Sequence, residues 1–146
     1  MAMYKFTQAI VQGKAIDVYN HGQMQRDFTY IDDIVTAIVQ VMDHIPQTRP
    51  AEEVLEPSPA TSHAPYRVFN IGNHKPESLL YFIEVLERAL GLKAQKNLLP
   101  MQMGDVPSTY ADIDDLTTAV GFQPTTSIEE GVERFVAWYR EYHRVS

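Results

Sequence analysis

An aromatic residue and an arginine flank a turn in the stretch VYNHGQMQRDF. Tyr19 ends an apolar strand pattern, Asn20 and Gly22 are turn-forming residues, and Arg26 lies on the returning segment. An aromatic ring at a strand end can cover a flat base, and an arginine fork can bind phosphate oxygens. The alternative is a salt bridge from Arg26 to a neighbouring helix, and spacing alone does not choose between the two.

A short carboxylate stands in a restrained loop in the stretch MQMGDVPSTYAD. Gly104 and Pro107 fix the backbone on either side of Asp105. A carboxylate held in this way can accept a pair of hydrogen bonds from vicinal hydroxyls. It can also cap a backbone N–H of its own loop, and both interpretations remain open at this point.

Three pairs of adjacent carboxylates are explained better by helix electrostatics than by general acid–base catalysis. Each pair falls in the first turn of a predicted helix, where negative charge contributes about 0.3–1 kcal/mol. The pairs are Asp32 with Asp33, Asp114 with Asp115, and Glu129 with Glu130. The five histidines lack metal-ligand spacing and no G-x-S-x-G motif occurs. We therefore predict no metal site and no serine-hydrolase chemistry.

The charge balance excludes a broad basic surface. Twelve Lys and Arg stand against 19 Asp and Glu, for a net charge of −7 and a pI near 5.1. Nucleic-acid binding is therefore not expected, although a local site for one or two phosphates remains possible. The absence of cysteine and of an apolar run of ~20 residues favours a protein of a reducing compartment without a membrane span, by default the cytoplasm.

Apolar periodicity predicts five helices, over residues 3–13, 34–45, 76–91, 111–122 and 126–142. We expect the second to be capped by Asp32 or Asp33, the fourth by Asp112 or Asp114, and the fifth by Ser127 with Glu130 in a capping box. The second helix carries apolar residues on one side, which predicts a buried face: Ile34, Ala37, Ile38, Val41, Met42 and Ile45.

Extended segments alternate with these helices, which predicts an α/β architecture. The predicted strands are AIDVY, RDFTYI, YRVFNIG and KNLLPM, and the proline-rich residues 46–65 are expected to form a flexible loop. YRVFNIG, from Tyr66, has the pattern of a strand buried on both faces, but the chain offers few parallel partners for it. This strand and an uncapped first helix lead us to expect that residues 1–146 are a portion of a longer chain.

Four stretches together resemble the C-terminal half of an extended short-chain dehydrogenase/reductase, in the NAD-dependent nucleotide-sugar epimerase group. They are KAIDVYNHGQMQRDFTYIDDI, YRVFNIGN, LPMQMGDVPSTYADI and GFQPTTSIEEGVERFVAWY. RDFTYIDD alone indicates only the superfamily. Its combination with MQMGDVPSTYAD is most similar to UDP-glucuronate 4-epimerases.

The resemblance implies a UDP-sugar-binding role for individual residues. The segment along the uracil corresponds to Asp17, Val18 and Tyr19. Arg26 matches the arginine that binds the diphosphate, and Asp105 matches the carboxylate near the ribose hydroxyls.

Two positions depart from the pattern of related UDP-galactose epimerases. Gln102 falls where many of those enzymes have a second phosphate-binding arginine, which leaves Arg26 as the one obvious phosphate cation of this segment. Thr109 falls where they have a tyrosine near the sugar. Gln102 and Thr109 are both candidate substrate-binding residues. Because a second arginine is missing, we expect the chain to bind the diphosphate weakly.

Two parts that the family needs for chemistry are missing from this sequence. No two glycines lie closer than nine residues apart, and no tyrosine is followed four positions later by lysine. A Gly-rich dinucleotide loop and the family's Tyr-x-x-x-Lys pair are therefore absent. We expect no catalytic residue and no bound cofactor in this chain, which would be inactive alone. The resemblance implies that the full-length enzyme uses NAD to oxidise sugar C4, lets the 4-keto intermediate rotate, and reduces it from the other face.

Two other functions remain open. The RDFTYIDD motif is also compatible with a UDP-glucuronate decarboxylase or with another nucleotide-sugar epimerase or dehydratase. A stand-alone nucleotide-sugar-binding module without catalysis is the non-enzymatic alternative. As partners we expect a UDP-sugar, neither nucleic acid nor membrane, a homodimeric parent, and self-association of this chain through exposed apolar surface around Val68, Phe69 and Ile71.

Overall fold

The computed structural model describes residues 2–48, 50 and 59–145, which form two compact units. Of the described residues, those up to 28, those from 75 to 110 and those from 126 onward form the first unit, and those from 29 to 74 and from 111 to 125 form the second. Helices alternate with short strands along the chain, as the α/β prediction requires. None of the described helices is long and apolar enough to cross a bilayer.

Three helices and four three-residue strands build the first unit. In chain order they are α1 Ala2–Val11, β1 Ile16–Val18, β2 Gln25–Asp27, β3 Pro76–Ser78, α3 Leu79–Leu90, β4 Lys96–Leu98 and α5 Ile128–His143. β1 pairs with β4 in parallel, and β2 pairs with β3 antiparallel. The two pairs form separate two-stranded sheets.

The core of the first unit lies between α1, α3 and α5. Its buried residues include Ile10, Ile16, Val18, Phe82, Ile83, Leu86, Leu90, Val132 and Val136. The apolar side of α3 is buried, because Phe82, Ile83, Leu86 and Leu90 recur at helical spacing. The prediction that Ser127 caps α5 is confirmed, since its Oγ accepts a hydrogen bond from the Glu130 N–H at 3.2 Å.

The second unit contains α2 Ile31–Met42 and α4 Asp114–Val120. The buried face predicted for α2 is confirmed only in part, because Ala37 is buried and Ile34 and Val41 are half-buried, whereas Ile38 and Met42 are exposed. Ile31, Val35, Ile38, Val39 and Met42 are between 48% and 71% exposed, and Ile45 lies beyond the end of the helix. Too few described elements of this unit pack on α2 to cover its apolar side.

The predicted strand YRVFNIG is also wrong. Within the described residues its ladder contact is a single bridge between Thr61 and Arg67, and Tyr66 and Val68 remain about half exposed. A strand that is apolar on both faces needs a neighbour on each side and a layer above and below. Of the predicted flexible loop 46–65, residues 49 and 51–58 lie outside the described part of the chain.

Two predicted helix caps differ from the observed ones. α2 begins after Tyr30 and α4 after Ile113, and neither residue makes a side-chain cap bond. Asp32 and Asp33 lie inside the first turn of α2, where their negative charge interacts favourably with the helix dipole although neither residue is the N-cap. Asp112 does accept the N–H of Asp114, the first residue of α4, at 3.1 Å.

Candidate functional site

The segment predicted to lie along a base is held by β1 and β4. Val18 is fully buried, whereas the neighbouring Asp17 points its carboxylate to the surface and accepts a hydrogen bond from the Asn97 side chain at 2.9 Å. The alternating pattern of an amphipathic strand produces this arrangement. Tyr19 is half-buried and starts the following turn rather than ending the strand as predicted.

A strained turn follows Tyr19. Asn20 and His21 have φ values of 48° and 50°, and Gly22 has φ of 81°, so three consecutive residues are left-handed. The Asn20 side chain donates to the Gln23 carbonyl at 2.7 Å, and the His21 N–H donates to the Leu99 carbonyl at 3.0 Å. These bonds fix the turn beside the end of β4, and such strain often marks a binding segment.

Arg26 lies on β2 opposite Glu77 of β3, and its guanidinium is held by several acceptors. Nη1 donates to the carbonyls of Gln25 at 2.8 Å and Pro107 at 3.3 Å. Nη2 donates to Asp105 Oδ1 at 2.8 Å. The fork of an arginine suits such a divergent set of acceptors, whereas a lysine would supply one point charge.

Asp105 ends a tight turn in the loop that follows β4. Its N–H donates to the Gln102 carbonyl at 3.1 Å, and Gly104 adopts φ of 84° between them, as turns with a left-handed third residue require. Oδ1 of Asp105 accepts both the Arg26 guanidinium and the Val106 N–H at 3.0 Å. The loop-capping alternative is thus observed, and the salt bridge of Arg26 goes to this loop rather than to a helix.

Thr109 and Gln102 have different surroundings. The Thr109 hydroxyl accepts a hydrogen bond from the Asp27 N–H at 3.2 Å, and the Gln25 N–H donates one to the Pro107 carbonyl at 2.8 Å. These two hydrogen bonds attach the loop to β2. The Gln102 side chain is exposed. The structure therefore joins Arg26, Asp105 and Thr109 into one cluster, and gives Gln102 a backbone role in its turn.

One buried charge near these elements was not singled out from the sequence. Glu87 of α3 is 4% exposed and accepts hydrogen bonds from Lys93 at 2.7 Å, Lys96 at 2.5 Å and the Ala94 N–H at 3.2 Å. Burial alone would raise the pKa of this carboxyl, but these hydrogen bonds outweigh it and lower the pKa to about 2. The signal in the sequence was a carboxylate on the inward face of a helix with two lysines just downstream.

Two cavities lie in the second unit, of about 290 and 360 Å³. The first is lined partly by Arg67, which lies over the Phe69 ring at 4.5 Å and 3.5 Å from Asp115. None of the seven predicted substrate residues lines either cavity within the described residues. The described residues also contain no group of three or more potential metal ligands.

Known proteins resemble this chain in sequence and in fold. Residues 1–72 match the NAD dependent epimerase/dehydratase family. The chain is 50% identical over 144 residues to Protein CapI of Staphylococcus aureus, covering 99% of this chain and 43% of that protein. It is 49% identical to a probable UDP-glucuronate 4-epimerase of Rhizobium meliloti, covering 99% and 42%. The chain thus spans less than half the length of these relatives.

A solved structure agrees with the sequence comparison. The fold matches UDP-glucuronic acid 4-epimerase of Bacillus cereus, crystallised with UDP-glucuronic acid and NAD, at a TM-score of 0.77 and 26% identity over 97% of this chain and 40% of that chain. The matched region is the C-terminal part of that enzyme, as the resemblance implied. In sequence and in fold, the chain is therefore similar to nucleotide-sugar epimerases of the extended short-chain dehydrogenase/reductase type, and its first 72 residues match the NAD dependent epimerase/dehydratase family.

Proposed function

We propose that this chain holds the UDP portion of a UDP-sugar for a UDP-glucuronate 4-epimerase-like enzyme. The observation that carries the proposal is the meeting of Arg26 and Asp105, 79 positions apart in sequence, on one surface of the first unit. Arg26 would bind the diphosphate and Asp105 the ribose hydroxyls. Asp17 and Tyr19 would lie along the uracil, and the fully buried Val18 would hold this segment in place from the core.

Such a site would serve a reaction that occurs elsewhere on the ligand. Epimerisation at C4 requires that the sugar turn between oxidation and reduction. A grip on the nucleotide supplies orientation without restraining the sugar, so the binding energy remains usable for the reaction. The predicted role of the chain is therefore anchoring rather than bond-making.

We expect the affinity of the chain for UDP to be weak. A charge-assisted hydrogen bond contributes about 1.5–3 kcal/mol and base–aromatic stacking about 1–3 kcal/mol. Gln102 supplies no second cation for the diphosphate. After the cost of ordering the ligand, a dissociation constant on the order of millimolar is expected.

The described residues do not fit a bound NAD. A dinucleotide pyrophosphate needs a glycine-rich loop at a helix N-terminus, where N–H groups and the helix dipole attract negative charge. The first turns of α2, α4 and α5 instead carry acidic pairs, which would repel a pyrophosphate. We propose that NAD and the catalytic pair belong to a part of the enzyme outside these 146 residues, and that this chain alone is inactive.

Titration calorimetry with UDP tests the proposal. Arg26→Ala should weaken binding roughly 10- to 100-fold, because a charge-assisted contact of about 1.5–3 kcal/mol is lost. Arg134→Ala is the control, since Arg134 is also an arginine paired with a carboxylate, that of Glu130, at 2.5 Å. Equal UDP affinity in the wild type and in Arg26→Ala, both folded, would exclude the proposed diphosphate site.

A further inference from the structure

We propose that the cavity beside Arg67 in the second unit binds a small organic monocarboxylate. The cavity has a volume of about 290 Å³, and none of the residues of the proposed UDP site lines it within the described part of the chain. The Arg67 guanidinium binds the carboxylate, and the apolar part of the wall covers the hydrocarbon part of the ligand.

The position of the Arg67 guanidinium is set by an aromatic ring. Its central carbon, Cζ, lies over the Phe69 ring at 4.5 Å from the centroid. A ring at this distance attracts the positive charge, but it does not replace the oxygen acceptors that the five N–H donors of an arginine prefer. Phe69 therefore orients the cation and leaves its hydrogen-bonding capacity to another group.

No acceptor within the described residues uses that capacity. Nη2 of Arg67 is 3.5 Å from Asp115 Oδ1, which is longer than the about 2.7–3.2 Å of a protein hydrogen bond, and Nε is buried without a partner. By contrast, Arg140 donates to the Leu90 carbonyl at 2.8 Å. Buried donors without an acceptor are rare in folded proteins. Arg67 thus lacks an oxygen ligand that a carboxylate can supply.

The two cavities of the second unit differ in charge because neighbouring side chains of an extended segment point to opposite sides. Arg67 and Phe69 line the first cavity, whereas Val68 and Asn70 line the second. The second cavity is also lined by three carboxylates, those of Asp112, Asp114 and Asp115. The lining of the first contains no acidic residue among those described. An anion therefore favours the first cavity.

The size and wall of the first cavity define the class of ligand. Its volume is at the lower end of the about 300–1,000 Å³ of ligand pockets, which favours a small molecule over a nucleotide. Ile45, Pro46 and Ala119 give the wall an apolar part. The Asp115 carboxylate near the guanidinium disfavours a second negative charge on the ligand. A monocarboxylate with a short hydrocarbon chain fits these features, and a phosphate dianion does not.

An NMR titration of the full 146-residue chain with butyrate tests the proposal. Butyrate should cause saturable chemical-shift changes at Phe69 and Ala119. We expect a dissociation constant on the order of millimolar, because a single cation carries the binding. Butanol, which has the same chain without the charge, should bind at least about 10-fold more weakly. Inorganic phosphate should also bind more weakly than butyrate.

Variants of the cavity assign the effect to individual charges. Arg67→Gln should weaken butyrate binding at least about 10-fold, because the charge-assisted contact is lost. Asp115→Asn removes the neighbouring carboxylate and should strengthen binding about two- to fivefold. Arg134→Gln is the control, since Arg134 lies on α5 in the first unit and should leave butyrate binding unchanged.

Four results would overturn the proposal. They are a folded wild type without saturable changes, equal affinity for butyrate and butanol, tighter binding of phosphate than of butyrate, and unchanged butyrate affinity in folded Arg67→Gln. If Arg67→Gln does not fold, the comparison of butyrate with butanol on the wild type decides. UDP binding at Arg26 is measured separately, so the failure of one site leaves the other standing.

Discussion

Glu87 is a buried charge that positions the segment predicted to lie along the base. Its carboxylate accepts hydrogen bonds from Lys93, the Ala94 N–H and Lys96, all of which lie between the end of α3 and the start of β4. β4 in turn pairs with β1 in the register Asp17 to Asn97. The loop anchored by Glu87 therefore sets where the predicted uracil segment lies.

Glu87 should make stability depend on acid pH. Its folded-state pKa, about 2, lies below the ordinary value of 4.5, so the charged form stabilises the fold above about pH 4.5. This contribution, about 3 kcal/mol, should disappear as the pH falls from 4.5 towards 2. Urea unfolding should show Glu87→Gln less stable than wild type at pH 7, with the difference shrinking at pH 2.5.

Glu84→Gln is the control for this measurement, since Glu84 is an exposed residue of the same helix. It should unfold like the wild type at pH 7. The stability difference between Glu87→Gln and the wild type could instead stay constant from pH 7 to pH 2.5. That result would show that the lysine partners do not lower the pKa of the Glu87 carboxyl in the folded protein.

The site residues were chosen from the sequence by their chemical type, but their pairing was not. An arginine on a returning strand and a carboxylate in a restrained loop were recognisable separately. Their contact depends on the bridge between Gln25 and Ser108, which joins β2 to the loop in space. No periodicity encodes a contact between a short strand and a distant irregular loop. The roles of Arg26 and Asp105 in binding remain predictions.

At the scale of elements, helices were more predictable than strands. α3 and α5 have apolar residues at helical spacing with a left-handed Gly91 and a Ser127 cap at their ends, so local signals suffice. YRVFNIG carried an equally clear strand pattern, but a strand exists only through partners. Within the described residues those partners are not present beyond one bridge.

The turn after β1 depends on a glycine for two reasons. Gly22 has φ of 81°, and a Cβ there would lie 2.5 Å from Leu80 Cδ2 and 2.8 Å from Cγ. Gly13 has φ of 68° and open space around it. Gly13→Ala should therefore cost about 1 kcal/mol of unfolding free energy, and Gly22→Ala about 2–4 kcal/mol.

Urea denaturation of both variants separates the cost of backbone strain, present at both positions, from the cost of the clash with Leu80, present only at Gly22. A UDP titration of both variants follows. Gly22→Ala should also weaken UDP binding, because the displaced turn carries Tyr19. Equal destabilisation of the two variants would mean that Leu80 relaxes freely and that the turn is not fixed against α3.

In the molecule as a whole, α2 exposes an apolar side to solvent. Ile31, Val35, Ile38, Val39 and Met42 form one apolar stripe along the helix. An exposed apolar patch of this kind favours association. We therefore expect self-association of this chain, with a second copy covering the stripe.

Sedimentation velocity at increasing concentration measures this association. Ile38→Lys places a charge within the stripe and should shift the protein towards monomer. Thr36→Lys adds the same charge at an exposed polar position of α2 and should leave the association unchanged. A wild-type chain that stays monomeric at millimolar concentration would contradict the expectation.

We propose that Tyr19, Arg26 and Asp105 form a UDP site on the first unit. The most direct test is an NMR titration of the isotope-labelled 146-residue chain with UDP. We expect saturable chemical-shift changes at Tyr19, Arg26 and Asp105, and their loss in Arg26→Ala. Shifts confined to the cavity beside Arg67, or a folded chain with no shifts at saturating UDP, would contradict it.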